Sequence, residues 1–225
     1  MIQSNPLRTA EIEGFLGQQH PLVEQLESAD GLSDMQALAA ELTARTAPTE
    51  DALRQFLERY RDEVLFPLEL VSIQRAYDHA IRNETRELVA YDAGLAGNAK
   101  LAAFASASRR IGRHQLACLR PLRDQRLVQR YLAAVENGEA HGWHTMVYGV
   151  TLAVYSLPVR QGLHAYASCT LEGFIKSPSS PLRQDEAAAN ALLNSLLGAA
   201  SGTIEELLAG EDGLSSGACN ARPSV

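Results

Sequence analysis

Two histidines, His141 and His144, have the spacing in this sequence that comes nearest to a metal site. They stand three residues apart in the segment His-Gly-Trp-His, so on a helix both imidazoles could share one face and hold a soft or borderline metal ion. Gly138 and Gly142 instead indicate a loop that enters a helix, and no cysteine or carboxylate lies at a matching spacing. We expect capping and packing roles for the two histidines, and a metal site remains the alternative.

A run of basic side chains follows an Ala-rich segment in the middle of the chain. It could bind an anion or the acidic face of a partner. The other interpretation is a solvated helix surface, which is what charge runs usually are. The basic residues are Arg109, Arg110, Arg113, His114, Arg120, Arg123, Arg126 and Arg130.

Ser106 and Ser108 lie near His114, which raises the possibility of a nucleophile and its base. No Gly-x-Ser-x-Gly elbow surrounds either serine, and no acid is placed to orient the histidine. The chain also has no Gly-rich phosphate loop of the two common types. These patterns predict that the chain is not an enzyme.

Composition excludes several classes of function. The chain has 225 residues, 46% hydrophobic content and a net charge of −7, so we expect a globular core and no nucleic-acid partner. No long apolar run or secretory signal is seen, which predicts a cytoplasmic protein without a membrane span. The three cysteines are far apart, which supports no zinc ribbon or disulfide framework and predicts buried thiols.

Apolar residues recur at helical spacing along most of the chain. Thr49 is the expected N-cap of one helix, and Pro67 the expected first residue of the next. The segment Met146–Tyr155 is ambiguous because its valine, tyrosine and threonine content favours a strand. A lone strand would leave its backbone groups without partners, so we predict a buried helix there.

The sequence therefore predicts an all-α, single-domain helical bundle of about eight to ten helices. The domain should span residues 1–210. Residues 211–225 are polar and rich in glycine and serine, which predicts a flexible C-terminal tail.

Several short motifs occur in one order between about residues 50 and 210. They are Ser108 to Gly112, His144 with Val147 and Gly149, Leu157-Pro158, Ala165-Tyr166, and Pro181-Leu182-Arg183-Gln184. The two residues of the Ser-x-x-x-Gly motif stack on one helix face and allow a neighbouring helix to approach closely. In the order of these motifs the chain resembles the urease accessory protein F family.

The resemblance implies an all-helical, non-enzymatic chaperone component. Members of this family dimerise and bridge a scaffold accessory protein to a metal-carrying GTPase, and the complex delivers nickel to apo-urease. We therefore expect a homodimer with these three partners. Nickel would be handled by the complex and not bound tightly by this chain as a cofactor, and the chain alone should hydrolyse neither GTP nor urea.

The chain departs from the family pattern in three places, one of which is the segment Lys176-Ser-Pro-Ser-Ser in place of the family's basic position just before the turn. The family's amino-terminal Gly-Gly-Phe segment with its following His-Ser is not recognisable within residues 14–32. Arg183 and Asp185 stand where the family usually has glycine and threonine. These differences indicate a divergent member.

We predict that a partner-binding surface forms at the turn Pro181, Leu182, Arg183 and Gln184, together with Tyr166. Pro178 and Pro181 stiffen the backbone there, which lowers the cost of presenting side chains. Arg183 should point outward to meet an acidic partner. An ordinary interhelix loop is the alternative for the turn. For the whole chain the alternatives are an unrelated helical adaptor or regulatory protein and a metal-dependent all-α enzyme.

Overall fold

The computed structural model describes residues 49–102, 104–177 and 180–215, with side chains described as far as residue 209. These residues form helices and connecting turns and include no strand, which confirms the all-α prediction. The elements are α1 (Glu50–Tyr60), a π-helical segment (Arg61–Leu70), α2 (Val71–Ile81), α3 (Thr85–Gly94), two 3₁₀ turns (Leu95–Gly97 and Ala99–Leu101), α4 (Ala105–Cys118), α5 (Arg126–Glu136), α6 (His144–Val154), α7 (Val159–Ile175), α8 (Glu186–Leu197) and α9 (Ala200–Ser215).

The chain from α1 to α2 is one continuous helix. Thr49 caps its start as predicted, because its side-chain oxygen accepts the N–H of Ala52 at 3.2 Å. The prediction that Pro67 begins a new helix is wrong, because Pro67 lies inside the π-helical segment. Proline has no N–H and crowds the carbonyl of the preceding turn, and a locally wider winding of the helix accommodates both defects.

Helix α6 forms the centre of the molecule. Nine of its eleven residues, from Thr145 to Ala153, are buried. It packs against α2 on one side and α4 on the other. The prediction of a buried helix for Met146–Tyr155 is confirmed: Val154 is the last residue of α6 and Tyr155 is its C-cap.

The carboxyl-terminal helices cover one side of this core. Asp185 caps α8, since its carboxylate accepts the N–H of Ala188 at 2.9 Å. The Ala-rich segment after Asp185 is divided near Gly198 into α8 and α9. Helix α9 continues to Ser215, past the expected start of the tail at residue 211. The rest of that tail and residues 1–48 of the predicted domain lie outside the described residues.

The described surface has few unusual apolar features. Ile81 is the one large apolar side chain there that is well exposed, at 59%. Cys118 and Cys169 are exposed, so the prediction of buried thiols is wrong for both; Cys219 lies outside the described residues. Within the described ranges, no helix combines the length and the apolar character that crossing a bilayer requires.

Candidate functional site

The start of α6 is capped by side chains from other helices. Its own N-cap residue, Trp143, supplies no side-chain hydrogen bond. The N–H groups of His141, Gly142 and Trp143 all donate to the carboxylate of Asp92 in α3, the last two at 3.1 Å. These N–H groups belong to the residues that lead into α6, and the partial positive charge at the start of a helix favours a carboxylate at this place.

Two further residues complete this arrangement, which we call the α6 clamp (Asp92, Ser108 and Tyr131). The hydroxyl of Tyr131 in α5 donates to Asp92 at 2.6 Å. The hydroxyl oxygen of Ser108 in α4 accepts the N–H of His144 at 3.1 Å. The α6 clamp therefore joins four helices, α3 to α6, at one point.

Glycine makes the close approach at the α6 clamp feasible. Gly112 of α4 lies directly against the backbone of residues 142–144, and a methyl group on it would overlap the carbonyl oxygen of Gly142. Gly142 itself has φ = +69°, in the left-handed region that other residues rarely adopt. The spacing of Ser108 and Gly112 therefore has a structural reason. Ser108 accepts a hydrogen bond from the start of α6, and Gly112, four residues later, leaves room for the backbone that precedes α6.

The two candidate metal ligands have separate structural roles. The ring Nδ1 of His144 contacts Gln115 Oε1 at 2.8 Å, and because a carbonyl oxygen accepts, Nδ1–H is the donor. His141 contributes backbone groups, since its N–H binds Asp92 and its carbonyl accepts from Arg113 Nε at 3.0 Å. In the described part of the chain, no three His, Cys, Asp or Glu residues form a group able to hold a metal ion.

A second buried polar cluster lies where the π-helical segment meets α7. The hydroxyls of Tyr60 and Tyr166 both donate to Glu69 Oε2, at 2.7 and 3.3 Å. Glu69 is only 8% exposed, and burial raises the pKa of its carboxyl to about 7, although the two hydrogen bonds act in the opposite direction. We call these three residues the Glu69 cluster.

Aromatic rings connect the Glu69 cluster with His144. The Tyr166 ring lies 5.6 Å from the His144 ring and 5.3 Å from the Tyr148 ring, measured between centroids. His144 is half-buried as a residue, and desolvation of its imidazole lowers its pKa to about 4. The imidazole of His144 is therefore neutral near pH 7, whereas the carboxyl of Glu69 is protonated in only part of the molecules at that pH. The packed rings and hydrogen bonds of these groups tie the first helix, α6 and α7 together.

The structure separates the residues of the predicted partner-binding surface. Pro181, Arg183 and Gln184 are exposed at the turn before α8, while Leu182 is 4% exposed and anchors the turn in the core. Tyr166 is 5% exposed and belongs to the Glu69 cluster. Its inclusion in the predicted surface is therefore wrong, because its ring packs in the core. Pro178 lies outside the described residues.

One comparison with known protein families gives a match. A protein-family model, UreF, matches residues 47–178, which is more than half of the 225-residue chain. The chain belongs to the UreF family. It is therefore a urease accessory protein, from a family of accessory proteins and not of enzymes. A search of curated proteins finds no match.

The UreF match contains both buried clusters and most of the motifs that suggested the family. Ser108, Gly112, His144 and Tyr166 all fall within it, and in the structure they meet around the start of α6. The turn at residues 181–184 lies beyond the matched range. The motif residues of the UreF match are thus core residues that shape the body, whereas the exposed turn has no support from the match.

Sequence reasoning missed Asp92 and Glu69. Each stands at a helical position where a solvated acid is the ordinary expectation. Glu69 offers one local signal, because it falls in an otherwise apolar run, Val64 to Leu70. Asp92 offers none, since its partners are 39 or more residues away in sequence.

Proposed function

We propose that this chain is a non-enzymatic bridge in urease maturation. It would join a scaffold accessory protein to a metal-carrying GTPase, and the complex would insert nickel into apo-urease. The observation that carries this proposal is the UreF match over residues 47–178. The bridging role itself comes from the resemblance of the chain to that family.

The described body suits a bridge because two buried hydrogen-bonded clusters tie its helices together. The α6 clamp fixes α3, α4, α5 and α6 relative to one another. The Glu69 cluster fixes the long first helix against α7. A partner surface built on such a body loses little conformational entropy on binding, which favours affinity.

We propose the exposed part of the turn, Pro181, Arg183 and Gln184, as one partner-facing surface. Two hydrogen bonds hold the turn: the N–H of Leu182 donates to the side-chain Oγ of Ser180 at 3.2 Å, and the N–H of Asp185 donates to the carbonyl of Leu182 at 3.0 Å. Arg183 is exposed on this supported backbone and can meet a carboxylate of a partner.

Three further features belong to the same proposal. The chain acts as a homodimer, it works in the cytoplasm, and nickel passes through the complex without becoming a resident cofactor of this chain. The different hydrogen-bond roles of His141 and His144 support the last point.

Reconstitution tests this function. Purified apo-urease, scaffold protein and GTPase are incubated with GTP and nickel, with and without this chain, and urease activity is measured. We expect activation to depend on the chain and to disappear when the chain is replaced by an unrelated helical protein. Equal activation without the chain would contradict the proposed function.

A further inference from the structure

The helix pair α4–α5 carries a concentrated positive charge on an acidic protein. Residues 105–135 contain seven arginines and one acidic residue, Asp124, which gives this stretch a net charge of +6. The whole chain has a net charge of −7, so the remaining residues carry −13. The seven arginines, which we call the basic face, are Arg109, Arg110, Arg113, Arg120, Arg123, Arg126 and Arg130; all except the half-buried Arg109 are exposed.

Most of this charge is not neutralised within the described part of the molecule. Arg120 pairs with Glu136 at the end of α5. Arg113, Arg123, Arg126 and Arg130 form no ion pair with any carboxylate of the described residues. An ordinary solvated helix surface has both signs of charge interspersed, commonly as pairs four residues apart. The basic face departs from that pattern.

Two of the arginines are ordered by contacts with the loop that precedes α6. The guanidinium of Arg109 lies 4.5 Å from the centroid of the Trp143 ring, and its Nε–H has no acceptor among the described residues. Arg113 donates from Nε to the carbonyl of His141 at 3.0 Å. Because the α6 clamp fixes this same loop, it also fixes these two guanidinium groups. Preordered cations lose less entropy when they bind an anion.

From these observations we infer that the basic face docks a carboxylate-rich surface of a protein partner. Arginine is suited to this because its planar group binds a carboxylate through two parallel hydrogen bonds. Nucleic acid fits less well, since the net charge of −7 repels phosphate backbones. The aromatic side chains Tyr131 and Trp143 of this region are also buried, at 0% and 3% exposure, and cannot stack on bases.

This inference rests on the proposed function, which supplies the candidate partners: the scaffold protein, the GTPase and apo-urease. It assigns to one of them a contact at α4–α5, well apart in sequence from the turn at residues 181–184. Charge complementarity of this kind mainly sets the rate and the selectivity of association, and it weakens as salt rises.

The test is a charge reversal with a matched control. The double variant Arg126→Glu and Arg130→Glu changes two exposed residues of α5, and at position 126, in the first turn of the helix, a glutamate favours folding. The control, Arg82→Glu with Arg86→Glu, makes the same change in net charge at two exposed positions off the basic face. Binding of each full-length variant to each of the three purified partners is measured by interferometry at low and moderate salt.

We expect the test variant to lose at least tenfold in affinity for one partner, with a smaller loss at higher salt, and the control to bind like the wild type. A neutral version, Arg126→Gln with Arg130→Gln, should lie between the two. If the partners bind the wild type, the test variant and the control equally, the inference is wrong while the proposed function survives. The inference would also be wrong if the test variant bound poly-uridine less well than the wild type but bound all three proteins equally well. If the wild type binds none of the three, the proposed function fails and the inference fails with it.

Discussion

At the scale of single residues, the two buried carboxylic acids, Asp92 and Glu69, differ in how many hydrogen bonds they accept. The Asp92 carboxylate accepts from three backbone N–H groups and one hydroxyl, so both of its oxygens are fully used. Among the described residues, Glu69 receives two hydroxyl hydrogen bonds, both on the same oxygen. Hydrogen bonds to the charged form favour ionisation and burial opposes it, and at Glu69 burial prevails.

Replacing Asp92 by asparagine should destabilise the protein strongly. The amide NH₂ would face N–H donors, so buried donors would lose their acceptor, and we expect a loss of about 3 kcal/mol in the free energy of unfolding. Urea denaturation measures this. Tyr131→Phe is the control, because it removes a single hydrogen bond and should cost only about 1 kcal/mol. Equal effects of the two substitutions would argue against the α6 clamp.

Glu69 should make the protein less stable as pH rises. Its pKa is about 7 when folded and near the ordinary 4.5 when unfolded. Between these pH values the folded state holds a proton that the unfolded state releases, so the stabilising contribution is complete below 4.5 and is lost as pH rises through 7. The difference corresponds to roughly 3 kcal/mol. Glu69→Gln should therefore gain stability relative to the wild type between pH 4.5 and about pH 8, measured by urea denaturation.

His144 provides a comparison of opposite sign. Its pKa is about 4 when folded against an ordinary 6.5, so its stabilising contribution is complete above 6.5 and is lost as pH falls towards 4. His144→Asn should gain stability relative to the wild type as pH falls through this range. In the wild type the contributions of Glu69 and His144 to the free energy of unfolding change with pH in opposite directions and partly cancel. Each variant removes one contribution, so its stability should depend on pH more strongly than that of the wild type. Parallel curves for wild type and both variants would contradict this account.

At the scale of elements, the helix contacts depend on a few glycines. Gly149 of α6 lies against the carbonyl of Ile73 in α2, and a methyl group there would overlap that oxygen. We expect Gly149→Ala to force the two helices apart and to lower the melting temperature by several degrees, because overpacking costs about 1–3 kcal/mol. Gly173→Ala is the matched control: Gly173 lies in α7 with no atom within 4 Å of an added methyl group. It should leave stability unchanged or raise it slightly. A melting temperature unchanged by Gly149→Ala would show that α2 and α6 pack less closely.

Element types follow from local patterns, and element junctions do not. The cap at Thr49 is a local hydrogen bond, so the sequence suffices to predict it. The sequence predicts a helix start at Pro67 because the interior of an α-helix disfavours proline, whereas in the structure Pro67 lies in a π-helical segment inside a long helix. The α6 clamp joins residues that are far apart in sequence, and a single sequence does not show which distant residues will form hydrogen bonds.

At the scale of the whole molecule, partner binding should depend on the exposed turn before α8. We expect Arg183→Glu to weaken capture of a partner by at least tenfold, or about 1.4 kcal/mol, because it replaces an attractive charge by a repulsive one. The measurement is a pull-down titration at moderate salt, on protein shown to be folded by circular dichroism. Gln184→Ala, at an exposed neighbour, is a control that keeps the charge. Unchanged capture by Arg183→Glu would make the turn an ordinary interhelix loop.

The central claim is that this UreF-family chain holds two other proteins together. Light scattering coupled to size-exclusion chromatography tests it most directly, with the scaffold protein and the GTPase mixed in the presence and absence of this chain. We predict that one complex containing all three proteins forms only when the chain is present, with two copies of the chain in it. A scaffold–GTPase complex that forms equally well without the chain, or a chain that stays a separate monomer in the mixture, would contradict the account.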